Sequence, residues 1–319
     1  MKIVIPGGTG QIGLILSRAF SATGDEVVVL SRNPTAHSAC RIVQWDGKTH
    51  CGWTKELENA DVVINLAGRS VNCRYGKENR REIIDSRVDS VRAVGAAIQT
   101  AKPPPRVWLQ AGTATIYAHR FDEANDEFTG VIGGNEMNAP ETWRFSIDVA
   151  KAWEAGVKEC APLPSTRTVI MRSAMTMSPD RGGIFAHLLG LVRLGLGGRA
   201  GNGRPFVSWI HEFDFVRAVR FLIDNDDLAG VVNICAPNPL PNSEFMRELR
   251  RAWGIKIGLP ASSLMLEIGA FFMRTETELI LKSRRVVPTR LLKHGFEFRF
   301  PNWSHAAEEL CARYRQTRA

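Results

Sequence analysis

The sequence predicts an α/β fold: a doubly wound parallel sheet with a smaller, mostly helical C-terminal lobe on the substrate side. Three observations carry this. An apolar run, Lys2-Ile3-Val4-Ile5-Pro6, leads straight into Gly7-Gly8-Thr9-Gly10-Gln11-Ile12-Gly13. Short apolar runs then alternate with stretches of helical periodicity up to about residue 177. The chain is 319 residues long and 44% apolar, enough to bury a large core.

The first strand and its loop read as the start of a Rossmann-type dinucleotide-binding βαβ unit. Gly7 allows a tight turn, Gly10 lets backbone approach a pyrophosphate, and Gly13 lets the following helix pack close to the strand. The helix begins at once with Ile12, Leu14, Ile15 and Leu16, so its N-terminus faces the bound negative charge. The loop residues Gly7, Thr9, Gly10, Gln11, Ile12 and Gly13 are therefore assigned to the cofactor.

The second strand, Glu26-Val27-Val28-Val29-Leu30, selects which cofactor. An NAD-binding chain usually carries Asp or Glu at its end, to hold the ribose 2′-hydroxyl. Here the residues are Ser31-Arg32-Asn33-Pro34. A carboxylate would repel a 2′-phosphate, whereas the Ser31 hydroxyl and the Arg32 guanidinium can bind one by charge-assisted hydrogen bonds. The expected cofactor is NADP(H).

Further strands are expected at Arg41 to Trp45 and at Asp61 to Leu66, the latter ending in Ala67-Gly68, small residues that leave room for a ligand. Ile83, Ile84, Val88, Val91, Val94 and Ile98 recur at helical spacing, predicting a long amphipathic helix over 78–100 that Pro103-Pro104-Pro105 closes off. A strand at Arg106 to Ala111, a helix near 142–160 and a strand at Arg167 to Ser173 complete the alternation. The pattern then loosens: Gly182-Gly183 and the stretch 195–203 are turn-rich, Trp209-Ile210-His211 reads as a short strand before a helix at 212–224, and Val231 to Cys235 as the last core strand. From Ala236 the chain reads as mostly helical, with a short strand at Phe296 to Phe300. The expected organisation is an NADP(H)-binding core over 1–177, to which 211–235 returns, and a substrate-side lobe from the rest of 178–319.

Composition narrows the functional classes. No run of about 18 apolar residues exists and Lys2 precedes a strand rather than a cleavable apolar region, so neither a membrane span nor a signal peptide is expected. Cys40, Cys51, Cys73, Cys160, Cys235 and Cys311 lack CxxC pairing and histidine partners at metal spacing; free thiols in a reducing, cytoplasmic setting and no metal centre are expected. The net charge is +8, but acids (Glu244, Glu248, Glu276, Glu278) interleave the late arginines Arg247, Arg250, Arg251, Arg284, Arg285 and Arg290. We expect a solvated basic face and a small-molecule substrate rather than nucleic acid. Oligomeric state is not legible.

Taken together, the glycine loop, Ser31-Arg32-Asn33-Pro34, Asn65-Leu66-Ala67-Gly68, Ser86-Arg87, Trp153-Glu154, Gly197-Gly198 with Ser208-Trp209-Ile210-His211, Ala236-Pro237-Asn238-Pro239 and a C-terminal block from Arg284 through Phe298 span nearly the whole chain. On these the chain resembles the atypical, extended short-chain dehydrogenase/reductases, within them the nucleoside-diphosphate-sugar epimerase group, whose members largely lack an assigned reaction. The resemblance implies that Gly7 to Gly13, Ser31, Arg32, Leu66 and Ala67 bind NADP(H), with Glu82, Arg87 and Thr176 also in contact. Read from the residues alone, Glu82 and Arg87 could equally be an exposed polar face of the long helix.

Catalysis departs from the family pattern, in which a Tyr gives or takes the proton, a Lys four residues later lowers its pKa and a Ser or Thr assists. Only three tyrosines exist, and Asn79, Phe121 and Arg318 stand four after Tyr75, Tyr117 and Tyr314. Aligned on Trp153-Glu154, the pair falls at Ser146 and Ala150; Lys151 is one residue off, a turn of about 100° on a helix. Thr113, at the helper position four before Tyr117, and Tyr117 itself are the catalytic candidates, with Tyr75 the other phenol near the crevice. Arg204 and His211 are substrate candidates; Arg199 could also clamp an anion, and Trp209 is expected in the core. The reading is an NADP(H)-dependent oxidoreductase or epimerase-type protein acting on a small polar substrate, a nucleotide sugar by resemblance; its rival is a non-catalytic NADP(H)-binding redox sensor or assembly factor.

Overall fold

Runs of valine and isoleucine form the centre of the protein, because side chains apolar on both faces can be buried only between two helical layers. A computed structural model describes residues 1–34, 40–137, 139–160, 163–262 and 278–317. Strands β1 (Lys2–Pro6), β2 (Glu26–Ser31), β3 (Arg41–Gln44), β4 (Val62–Asn65), β5 (Val107–Thr113), β6 (Arg167–Ser173) and β10 (Gly230–Ile234) build a seven-stranded sheet in the order β10-β6-β5-β4-β1-β2-β3. Every pairing in it is parallel. The chain runs outward from β1 to β3, then crosses back to β4 on the other side, so the strand order reverses beside β1. Ligands of such sheets bind at that reversal, outside the strand C-termini.

Helices cover both faces. Helices α1 (Gln11–Ala22) and α5 (Glu212–Asp224) pack on one through Leu16, Phe20, Phe215, Val219 and Leu222. On the other, α2 (Lys77–Thr100) and α3 (Glu141–Glu159) use Val91, Val94, Ile98, Trp153 and Val157.

Beyond β6 the chain forms two small pairs, β7 (Met175–Met177) with β9 (Trp209–His211), and β8 (Phe206–Val207) with β11 (Leu240–Pro241). Helices α4 (Ile184–Arg193), α6 (Asn242–Trp253), α7 (Glu278–Leu281), α8 (Thr289–Lys293) and α9 (Trp303–Gln316) follow in chain order. A separate core joins Phe185, Leu189, Trp209, Phe245, Trp303 and Leu310. Trp303 stacks on Phe245 at 4.0 Å, and its indole N–H donates to the Phe245 carbonyl at 2.9 Å.

The structure departs from two expectations. Phe296 to Phe300 is not a strand. Its amides are claimed by a buried carboxylate instead: Asp214 accepts from Arg299 N at 2.9 Å and from Phe300 N at 2.7 Å, leaving no ladder to extend. Nor are all the late arginines a solvated face. Arg284 is buried on Glu278, and Arg250, Arg285 and Arg290 donate to the carbonyls of Gly197, Asp122 and Ala229; Arg247 and Arg251 are exposed. Among the described residues none of the six cysteines is in a disulfide. Among the described residues, no helix is long and apolar enough to cross a membrane.

Candidate functional site

The glycine loop closes on itself and on the neighbouring strand. Gly7 has φ +77°, and a Cβ there would lie 2.7 Å from the backbone of Ala67, so this position needs glycine on both counts. At Gly13 a Cβ would lie 2.4 Å from the Gly8 backbone, which is how the first turn of α1 reaches the loop. Gly10 differs: its Cβ would meet nothing nearer than the Gly7 carbonyl at 3.6 Å. Within the protein that position has room, so the demand for glycine there points outward, to something that must come close.

Helix α1 presents a bare N-terminus. Gly10 caps it without a side chain, and no acidic residue sits in its first turn. The first helical hydrogen bond runs from Leu14 N to Gly10 O at 2.9 Å, which leaves the amides of Gln11, Ile12 and Gly13 without intrahelical acceptors. Oriented amides and an uncompensated helix dipole make an anion site. The Gln11 Nε2 beside it is buried without a hydrogen-bond partner, under Gly183.

At the end of β2, Ser31 is buried and its hydroxyl lies 3.1 Å from Thr9 Oγ1, also accepting from Asn33 N at 3.1 Å. The adjoining Arg32 is exposed and makes no ion pair among the described residues. Across the loop, Leu66 N donates to Pro6 O at 2.8 Å and Ala67 N to Asn65 Oδ1 at 3.1 Å. Gly68 follows, with the half-buried Arg87 packed against it. That guanidinium donates to the carbonyls of Arg69 and Ile83 at 3.0 and 2.9 Å, lies 4.9 Å over the Trp153 ring and has no carboxylate partner among the described residues. Burial holds its pKa down, to about 10. Gly7 thus packs on Ala67, Thr9 lies beside Ser31 and Gly68 packs on Arg87, and the bare amides of α1, the Ser31 hydroxyl and guanidiniums without a carboxylate partner among the described residues are groups of the chemistry a phosphorylated dinucleotide needs. Glu82 is exposed and paired with Arg69. Thr176 is buried on β7, opposite Ile210.

The other candidates are dispersed. Thr113, half-buried at the end of β5, accepts from Thr115 N at 3.2 Å and caps the short turn at 114–116. Tyr117 is buried and engaged: its hydroxyl donates to Asn233 Oδ1 at 2.9 Å and accepts from Arg172 at 3.0 Å, and burial pushes its pKa up. His211 is buried as the N-cap of α5, accepting from Phe213 N at 3.0 Å, 2.8 Å from Glu309 and stacked on Phe300. It lines a cavity of about 550 Å³ on the far flank of α1, with Ile15, Arg18 and Arg313. Arg204 is exposed, over the Phe121 ring. Trp209 is fully buried.

Sequence reasoning passed over a buried cluster beside α3. Ser146 is half-buried there, 2.7 Å from Glu278 Oε2 and 3.4 Å from the Tyr75 hydroxyl. Glu278 also pairs with Arg284 at 2.8 Å, and Lys282 donates to Thr115 O at 2.6 Å. Glu278 and Lys282 are each 1% exposed. Ala150 is buried in the core, whereas Lys151 is exposed, pointing over Gly134. No signal in the sequence marks these charges as buried, because they reach α3 only through the folding of the C-terminal segment.

Comparison with known proteins agrees with this architecture. The profile of the NAD dependent epimerase/dehydratase family matches residues 3–235, and that of a domain of unknown function, DUF1731, matches 261–310. The human epimerase family protein SDR39U1 is 30% identical over 315 residues, covering 98% of this chain and 100% of its own. Epimerase family protein YfhF of Bacillus subtilis is 29% identical, with 98% of each chain covered. A crystal structure of human SDR39U1 (isoform 2) with NADPH superposes with a TM-score of 0.82 at 28% identity, covering 98% of this chain and 99% of that one.

Proposed function

This chain belongs to the NAD dependent epimerase/dehydratase family, and from that premise we propose that it binds NADP(H) and performs oxidation–reduction or epimerisation on a small polar substrate, a nucleotide sugar being the class that the resemblance read from the sequence implies. The observation that carries the cofactor is the end of β2, where Ser31 and the exposed Arg32 stand and no carboxylate does. In this reading the amides of Gln11, Ile12 and Gly13 hold the pyrophosphate, Ser31 and Arg32 the 2′-phosphate, and Leu66 to Gly68 flank the nucleotide. The NADPH bound by SDR39U1 supports the same choice. A nicotinamide bound there supplies a hydride donor or acceptor. In this reading Thr113, the last residue of β5, hydrogen-bonds a substrate oxygen.

Affinity measurements with NADPH and NADH test this. Wild-type protein should prefer NADPH, and Arg32→Asp should remove roughly tenfold or more of that preference, the worth of a charge-assisted bond. A preference that survives the charge reversal rules out the role given to Arg32.

A second reading, an NADP(H)-binding protein without catalysis that senses redox state or assists an assembly, draws on one observation. Ser146 and Ala150 stand where the Tyr and Lys would, and Tyr117 is locked by Arg172 and Asn233. Tight NADPH binding with no turnover across carbonyl compounds and nucleotide sugars would favour it.

A further inference from the structure

We propose that Tyr75, Ser146 and Glu278 form a proton relay that serves a carbinol or carbonyl substrate in place of the missing Tyr/Lys pair, an inference that rests on the nicotinamide-dependent reading above. The phenol has changed its place in the chain. It comes from the segment between β4 and α2 instead of from α3, and its hydroxyl lies 3.4 Å from the Ser146 hydroxyl, the position on α3 where the family carries its tyrosine.

Three placements support this. Ser146 is half-buried, and Tyr75, 8% exposed, packs with Ile83 of α2 and with Phe145 and Val149 of α3. The ring of Tyr75 is held edge-on against Phe145, 4.9 Å between centroids, which fixes the direction of its hydroxyl. The Arg284 that holds Glu278 also donates to Thr115 Oγ1 at 3.2 Å, and Thr115 N donates to Thr113 Oγ1 at 3.2 Å, so the cluster adjoins the C-terminal end of β5. The terminal acceptor is Glu278, whose Oε2 is 2.7 Å from Ser146 Oγ while Oε1 is held by Arg284 at 2.8 Å. An anchoring carboxylate would need only Arg284. This one also reaches back to a hydroxyl on α3.

In the oxidising direction the carbinol proton passes to Tyr75 Oη as the phenol proton passes to Ser146 Oγ and the Ser146 proton to Glu278 Oε2. At Tyr75 Oη and at Ser146 Oγ one O–H bond forms as one breaks, the carbinol oxygen loses its proton to become a carbonyl, the carboxylate ends as the neutral acid, and the hydride leaves the carbinol carbon for the oxidised nicotinamide. Tyr75 meets substrate; Ser146 and Glu278 are positioning residues that act through it. The charged and titratable neighbours are Cys73 before α2, Arg80 and Arg87 on α2, and Lys282 and Arg284 around Glu278, with His119 and Glu136 beyond Lys282.

The test uses the full chain as wild type, Tyr75→Phe, Ser146→Ala and Glu278→Gln, with NADPH binding followed by fluorescence, UDP-glucose oxidation with NADP⁺, and D-glyceraldehyde reduction with NADPH. All four proteins should bind NADPH within about twofold. Tyr75→Phe should lower kcat at least about 100-fold with little change in the cofactor KM, the usual worth of general acid–base catalysis. Glu278→Gln should lower kcat of the oxidation at least about tenfold with NADPH binding kept. Independently of turnover, Ser146→Ala and Glu278→Gln should each shift the ultraviolet phenolate titration of one tyrosine, the one missing in Tyr75→Phe. Turnover unchanged in Tyr75→Phe or in Glu278→Gln overturns the relay alone. Bound NADPH with no turnover of either probe overturns the relay as a catalytic unit, and failure of the wild type to bind NADPH overturns the cofactor reading beneath it.

Discussion

Arg172 and Glu154 meet as a two-pronged ion pair, guanidinium to carboxylate at 2.7 and 2.8 Å, with side chains only 10% and 11% exposed. The third arm of Arg172 donates to Tyr117. Removing one partner strands a buried charge, so Glu154→Ala should cost about 3 kcal/mol in urea-unfolding free energy. The double variant Glu154→Met/Arg172→Met, which removes both charges, should cost much less. Equal losses in the single and double variants would show that the pair is not tightly coupled.

The glycines of the loop separate stability from binding. Gly13→Ala puts a methyl group 2.4 Å from the Gly8 backbone and should destabilise the protein by about 1–3 kcal/mol. Gly10→Ala has no atom nearer than 3.6 Å to strike and should cost less than about 1 kcal/mol, yet reduce NADPH affinity at least about tenfold. Thermal unfolding beside fluorescence titration reads both; an unimpaired Gly10→Ala would remove the reason given for that glycine.

Lys282 makes stability depend on alkaline pH. Burial, with Arg284 nearby, holds its folded pKa down to about 8, against 10.5 for the free side chain. Below pH 8 both states are protonated and the folded protein bears the whole cost of the buried ammonium. Between about 8 and 10.5 the unfolded chain keeps a proton that the folded one has lost, so stability rises with pH, by roughly 3 kcal/mol over that window. In Lys282→Met the rise should flatten, and the variant should be more stable than wild type at pH 7. An equal pH slope in the two proteins would exclude the assignment.

What the sequence discloses follows from how local each cause is. Val27 to Leu30 and Val62 to Ile64 read as strands because two-sided burial leaves an unbroken apolar run, and the turn of Gly7 is written in the residue itself. Helix α4 is not legible in the sequence: Gly182-Gly183 ahead of it and the glycines from 195 onward read as turns, and the stretch Ile184 to Leu189 between them, broken by His187, is too short to show a helical period. Phe296 to Phe300 looked like a strand since only the carboxylate of Asp214, more than eighty residues away, decides otherwise. The same holds at the crevice. Ser146 could be located by spacing along α3, but the carboxylate that meets it comes from 132 residues downstream.

The fit of Gly7 against Ala67 bears on how a nucleotide gets in. With no space for a methyl group between them, the loop after β1 and the loop after β4 are in effect one stiff floor, braced again by Leu66 N on Pro6 O. An arriving ligand cannot wedge these two apart. Whatever yielding admission requires has to be done by the opposite wall, so substitutions that slow entry and exit are to be sought around Gly183, above Gln11, rather than in the floor itself.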